Sequence, residues 1–342
     1  MGNELEYFVR QALQFGQEQF SKADSLNKTA ISFADTGFMF AESEPFLMSS
    51  IKLCLNADKP ELNNTLPAAI YADYSAWHIN NGFHAPHAKH TDLLEMCKTL
   101  ASFGVSANYY QPDQRWDVFD NKQSFGVRLQ CGLDRSPIWE KTAPLANFCN
   151  WVARQDSKTM VHAASIGIEG MGALLIGNGG AGKSGTILGC LMRGFKSSGD
   201  DYTIISNGSN YAAHALYMSV KQDPLGLKRL GLKCDQNLNW QGKAVFRPRD
   251  IINADISPSM PINVLIVPSI GADKTTFQSV SPNEVFKILA LSTAKQLGSD
   301  HAQIFKACGD LVRTIPCFKM NMSSDNDEVT VELKKFLREI KC

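Results

Sequence analysis

The chain has 342 residues, 44% hydrophobic and 20% charged, a length and balance that predict two globular domains and exclude a disordered chain. Thirty-four Lys plus Arg stand against thirty-four Asp plus Glu, and that zero net charge excludes a protein that coats nucleic acid through a general positive field. Nine cysteines, an odd number with no C-x-x-C pair, encode neither a disulfide framework nor a zinc knuckle.

The first predicted element is an amphipathic helix, because Leu5, Phe8, Val9, Ala12, Leu13 and Phe20 recur at helical spacing; its stripe is expected to pack as core. From about 32 to 130, short apolar runs (36–40, 51–55, 106–110, 125–129) alternate with Pro, Asn, Asp and Gly clusters, which predicts a mixed α/β domain with several short strands. A helix over 144–153, carrying Leu145, Phe148, Trp151 and Val152, leads to a domain boundary near 150. The two domains are therefore expected at 1–150 and 151–342. Beyond the boundary the pattern alternates strand, Gly-rich turn and helix, with strands over 159–166 and 172–176 and a helix from Lys183 to about 194. Short strands follow at Thr203–Ser206, 243–246 and 263–267. Ser281-Pro282-Asn283-Glu284 has the form of a capping box with Pro at the first helical position and starts a helix through Leu297. A strand, Cys317–Met322, and a helix with Leu333, Phe336, Leu337 and Ile340 on one face complete the pattern. The acidic start and the lack of any apolar run near ~18 residues predict neither a secretory leader nor a membrane span, so the expected home is the cytoplasm.

Gly177, Asn178, Gly179, Gly180, Ala181, Gly182, Lys183 and Ser184 satisfy G-x-x-x-x-G-K-[ST], entered by an apolar strand and left by a helix. Glycines let backbone N–H groups point at phosphates, a helix start adds a favourable dipole, Lys183 adds a point charge, and Ser184 offers a hydroxyl to Mg²⁺. Nucleotide binding through 177–185 is the prediction. Asp200 and Asp201 follow Lys183 by only seventeen residues, so a strand entering beside the loop would bring both carboxylates to the metal. One would hold Mg²⁺ and the other would take a proton from an attacking hydroxyl; taken alone, the pair reads first as an exposed turn. His162, in an apolar stretch, reads alone as a core histidine.

Taken together, His162, the strand–turn–strand with Gly170-Met171-Gly172, the loop 177–184 and Asp200-Asp201 resemble the catalytic core of HPr kinase/phosphorylase and its phosphoenolpyruvate-carboxykinase-like relatives, over about forty residues. The rest of 155–342 matches in its alternation of elements, and 1–150 carries no motif of the N-terminal domain of HPr kinases. The resemblance implies an α/β architecture in which a P-loop-containing domain of that group follows a smaller mixed α/β domain. It also implies ATP-dependent phosphorylation of a serine-type hydroxyl with ATP and Mg²⁺ as cofactors. Lys183 would lie on the phosphates, Ser184 and Asp201 on the metal, Asp200 and Asp201 would divide the roles of base and ligand, and His162 would sit beside them. Gly185 stands where HPr kinases commonly carry Glu, and their second signature segment is absent. The expected acceptor is therefore a protein, peptide or small molecule such as an amino acid or sugar, chosen by the N-terminal domain, rather than HPr. A nucleotide-sensing module without transfer is the alternative from another class, and the Asp pair argues against it. Neither nucleic acid nor membrane is an expected partner, and a homo-oligomer is left open.

Between 225 and 249, Lys228, Arg229, Lys233, Lys243, Arg247 and Arg249 face the single acid Asp235, a net of plus five. The stretch reads as a solvated face or as a phosphoryl clamp, with Arg247 and Arg249 the clamp candidates because planar guanidinium forks suit phosphate oxygens. His84, His87 and His90 are spaced three apart, but Pro86 argues against a helix presenting them together, and a loop is expected rather than a metal site. Tyr109, Tyr110, Trp116 and Phe119 read as ordinary packing.

Overall fold

The computed structural model describes residues 2–24, 28–58, 66–81, 90–110, 114–133, 137–206, 208, 210–234, 238–297 and 301–341. Within it the chain divides into two units, Met1–Asp156 and Ser157–Cys342, so the helix expected near 150 falls wholly in the first.

The first unit is built on α1 (Gly2–Lys22), whose Leu5, Phe8, Val9, Ala12 and Leu13 are all buried. It lies against a seven-stranded sheet made of β1 (Lys28–Phe33), β2 (Thr36–Glu42), β3 (Ala57–Asp58), β4 (Ala68–Asp73), β5 (Val105–Tyr110), β6 (Arg115–Asp120) and β7 (Phe125–Gln130). The strand order is β3-β1-β2-β4-β7-β6-β5, with β4 parallel to both neighbours and the other pairs antiparallel. The apolar run at 51–55 lies on a helix, α2 (Met48–Cys54), rather than a strand, and turns Ile51 and Cys54 inward. After the short α3 (Trp77–Asn80), α4 (His90–Ser102) packs on β5, and α5 (Ala146–Gln155) packs on β2 and β6. Trp116 and Val118 join the α1 side of the sheet, while Phe119 stacks on Trp151 of α5 from the other side.

That second side also buries four charges. Arg115 and Asp117 alternate along β6, Arg128 faces them from β7, and Glu140 comes from a 3-10 turn, Ile138–Lys141; all are at most 2% exposed. Arg128 donates to both oxygens of Asp117 (2.7 and 3.0 Å) and to Glu140 (2.6 Å), and Arg115 donates to the other oxygen of Glu140 (2.9 Å). Asn147 of α5 donates to Asp117 (3.0 Å) and to the Tyr110 hydroxyl (3.0 Å), and the Arg115 guanidinium lies over the Tyr110 ring. Burial pushes both carboxyls up, but the Arg128 and Arg115 charges outweigh it and hold them below the usual range. Tyr110 is thus part of a polar network and not only of apolar packing.

The second unit holds three sheets. β8 (Lys158–Val161), β11 (Thr203–Ser206), β12 (Ala212–Ala215) and β15 (Ser259–Pro261) form an antiparallel sheet in the order β15-β12-β11-β8. β9 (Ala164–Ile168), β10 (Met171–Leu175), β16 (Val264–Ile270), β17 (Thr276–Ser279) and β18 (Cys317–Met322) form a mixed sheet in the order β17-β18-β16-β10-β9, with β10, β16 and β18 parallel. β13 (Val220–Gln222) and β14 (Ala244–Phe246) make a separate ribbon. The single strand expected over 159–166 is therefore two strands in different sheets, joined by His162-Ala163. The two outer strands of the four-stranded sheet both run on into the mixed sheet, β8 into β9 and β15 into β16, each across two residues. At the second joint a side chain on Gly172 would collide with the Pro261 carbonyl, and Gly172 exchanges hydrogen bonds with Asn263 (2.8 and 2.9 Å).

Helices cover these sheets: α6 (Lys183–Leu191), α7 (Pro224–Arg229), α8 (Pro248–Ile252), α9 (Pro282–Leu297), α10 (His301–Thr314) and α11 (Asn326–Lys341). α6 and α11 close the core around Leu175, Ile187, Ile266, Leu333 and Leu337, and α9 and α10 pack on each other and on β8. α10, with Ile304, Ala307, Cys308, Leu311 and Val312 buried, is an element the sequence reading did not place. Among the described residues no helix is long and apolar enough to cross a membrane.

Candidate active site at the phosphate-binding loop

Strand β10 stays in its sheet through Ile176, whose N–H donates to Ile266 (2.8 Å), and the chain leaves it at Gly177. The loop returns through Gly180 and Gly182 at φ of +86° and +94°. At Gly182, the cap of α6, the dihedral requires glycine, and a Cβ would also press on the side chains of Met322 and Ile270. Nothing lies within 4 Å of where side chains on Gly179 and Gly180 would start. The result is an open cradle of backbone at a helix N-terminus, where unpaired N–H groups and the helix dipole favour an anion. Lys183 is 6% exposed, and its Nζ donates to the carbonyls of Gly177 (2.6 Å) and Asn178 (3.4 Å). Burial holds its ammonium below the usual lysine range, against the opposing pull of Asp201 and Asp200.

The carboxylate pair is delivered by a turn stitched to β9. Lys196 and Gly167 exchange backbone hydrogen bonds, Ser165 N–H donates to Gly199 (3.0 Å), and Ser198 N–H donates to Ser165 Oγ (2.8 Å). Beyond the turn, β11 zips onto β8 and fixes the direction of the chain. Asp200 is 2% exposed; one oxygen accepts from the Ser184 hydroxyl (2.8 Å) and the other from the Lys221 N–H (3.0 Å). Asp201 accepts from Lys221 Nζ (2.9 Å) and has His162 Nε2 3.9 Å from its other oxygen. Burial and the neighbouring Asp201 charge push Asp200 up to about 6. Burial acts upward on Asp201 as well, but the Lys221 ammonium, with His162 and Lys183, holds it well below the usual carboxylate range.

His162 stands at the joint between the two sheets. Its backbone N–H donates to Thr293 Oγ1 of α9 (2.9 Å), its ring lies 6.1 Å from that of Tyr202, and its buried Nδ1 has no hydrogen-bond partner among the described residues. Burial, then the Lys183 charge, push it down to about 4, so the imidazole is neutral at pH 7. Because the folded state gives up a proton that the unfolded chain keeps below about 6.5, stability is lost as pH falls from there towards 4. Relative to wild type, His162→Leu should therefore gain about 2–3 kcal/mol between pH 7 and pH 4.5 in urea unfolding. A difference that does not change with pH would show that the ring keeps its proton on folding.

A cleft of about 480 Å³ runs along the loop. Residues 179–186 and Asp201 form one side; Gln222, Asp223, Gly226, Arg229 and Leu230 form another, and Lys243, Ile270, Met322 and Val329 close it. Arg247 and Arg249, the clamp candidates, do not line it. Arg249 is an exposed residue paired with both oxygens of Asp255 (2.6 and 2.9 Å), and Arg247 lends its backbone to the start of α8. Two other cations of the same stretch, Arg229 and Lys243, reach the cleft instead. Lys221, which no spacing singled out, is the largest addition to the site. His84 and His87 lie outside the described residues, as do Asp235 and the side chain of His90, and no cluster of three or more His, Cys, Asp or Glu among the described residues could hold a metal.

The chain matches no protein-family model and no curated protein. Among solved structures it is similar to the HPr(Ser) kinase/phosphatase from Coxiella burnetii, at 12% identity over 53% of this chain and 99% of that one, with a TM-score of 0.30, a weak structural relation.

Proposed function

We propose that the second unit is a phosphotransferase that moves the γ-phosphoryl of Mg·ATP to an aliphatic hydroxyl. The observation that carries this reading is the meeting of Lys183, Ser184, Asp200 and Asp201 at the start of α6, with Asp201 on the wall of the cleft. The loop N–H groups and Lys183 hold the phosphate chain. Asp201, ionised and facing the cleft, takes the proton of the acceptor hydroxyl, while His162 packs behind it as a neutral ring. Arg229 and Lys243 balance the charge that spreads over the phosphoryl group in transit. Ser184 and the two carboxylates are all hard oxygen donors in one cluster, which fits Mg²⁺; the Ser184–Asp200 bond supports these two as the metal side, with Asp201 as the base instead of the metal ligand expected from the sequence. Held by Ser184 and Asp200, Mg²⁺ would supply charge neutralisation for the phosphate chain.

Lys183→Ala should weaken ATP binding by about 10- to 100-fold, the worth of a charge-assisted contact, with the melting temperature little changed. Calorimetric titration with ATP, alongside radiolabel transfer from γ-labelled ATP to protein and small-molecule fractions, checks the reading. Wild-type affinity in the variant would remove the loop from the site.

A further inference from the structure

Lys221 touches both carboxylates of the site. From β13 its N–H donates to Asp200 (3.0 Å) and its Nζ to Asp201 (2.9 Å), and its side chain is only 13% exposed. Asp200's remaining oxygen is taken by the Ser184 hydroxyl (2.8 Å). Adjacent carboxylates, one of them buried, repel one another and favour a counter-charge beside them. A divalent cation at Ser184 and Asp200, next to Asp201, would provide it, but here the chain supplies its own. An ammonium suits this better than a guanidinium, since it is a compact charge with three rotatable donors on a flexible stem and can change partners.

We propose that Lys221 is a resident counter-cation that keeps the Asp200–Asp201 pair from holding a divalent metal until nucleotide phosphates enter the cleft. A metal arriving alone at Ser184 and Asp200 must settle beside the largely buried Lys221 ammonium, whose charge opposes its own. A metal arriving with a polyphosphate brings negative charge of its own into the adjoining cleft, which offsets that opposition. The nucleotide half of this scheme rests on the phosphotransferase reading; the metal half does not.

The test is equilibrium Mn²⁺ binding to the nucleotide-free protein, read from the electron paramagnetic resonance signal of unbound Mn²⁺. Lys221→Met should bind Mn²⁺ at least about tenfold more tightly than wild type, because a unit charge within a few ångströms of the metal has been removed. Lys221→Arg, which keeps the charge, should stay near wild type. Lys221→Gln, which keeps a donor to Asp201, should move in the same direction as Met and serves if the Met variant fails to fold. A merely structural lysine would give looser metal binding on removal, so tightening is diagnostic. Equal or weaker Mn²⁺ binding in both neutral variants would overturn the proposal, as would tight binding by the wild type alone. No nucleotide is present, so the outcome judges Lys221 separately from the ATP titration that judges the phosphotransferase reading.

Discussion

Asp201→Asn should lower kcat by about 10²–10⁴ while leaving ATP affinity within a few-fold of wild type. The substitution keeps the shape of the side chain and an oxygen for Lys221, but an amide cannot take a proton from the acceptor. Asp200→Asn should behave differently, since Asp200 accepts from the Ser184 hydroxyl and lies away from the cleft wall. Its loss should raise the Mg²⁺ requirement first. Steady-state kinetics over a range of Mg²⁺ and calorimetry of nucleotide binding separate the two. Full activity in both variants would reduce the pair to a turn.

Glu140→Ala should destabilise the first unit by about 3–5 kcal/mol, because it leaves two buried guanidiniums to share one carboxylate. Arg128 would keep its paired bonds to Asp117, whereas Arg115 would retain only a longer approach to Asp117 at 3.8 Å and the Tyr110 ring. The backbone N–H of Leu145, which donates to Glu140 (2.8 Å), would lose its partner too. Such a loss is a large part of the ~5–15 kcal/mol that holds a typical domain together, so the variant should unfold at clearly lower urea. Replacing all four charged residues with apolar groups of similar volume should cost much less, since no stranded charge remains. A loss under about 1 kcal/mol in the single variant would mean that the guanidiniums had found other partners.

The parts of the site readable in the sequence are those written as contiguous strings. The loop 177–184 and the Asp pair are local patterns whose backbone demands are met by their own glycines and by the short spacing between them. His162 is singled out by the family resemblance, since its apolar setting alone reads as core, and its place at a joint between sheets depends on pairings of β8 and β9 that no local pattern encodes. Lys221 is a lone lysine on a three-residue strand, and it enters the site because that strand passes beside residues twenty positions earlier. The choice among the cations of 225–249 failed for a similar reason: guanidinium chemistry favoured Arg247 and Arg249, whereas the direction taken by the ribbon and by α7 decides which side chains reach the cleft. In the first unit, Arg115 and Asp117 alternating with Trp116 and Val118 have the pattern of a solvated strand face. The segment 138–155 covers that face, and sequence periodicity does not register a cover supplied from elsewhere in the chain.

The two short joints between the sheets of the second unit govern how its chemistry is held. The phosphate cradle hangs from β10 in the mixed sheet, whereas Asp201 leads into β11 and His162 directly follows β8 in the other. If the sheets could shear past one another, the base would drift from the phosphoryl group by ångströms, and misplacement on that scale costs about 100-fold in rate. Both outer strands of the smaller sheet are anchored covalently into the larger one, and Gly172 lets Pro261 press against it without a side chain between them. The frame therefore behaves as a brace across the reaction coordinate, and a bulky residue at position 172 would impair turnover without touching substrate.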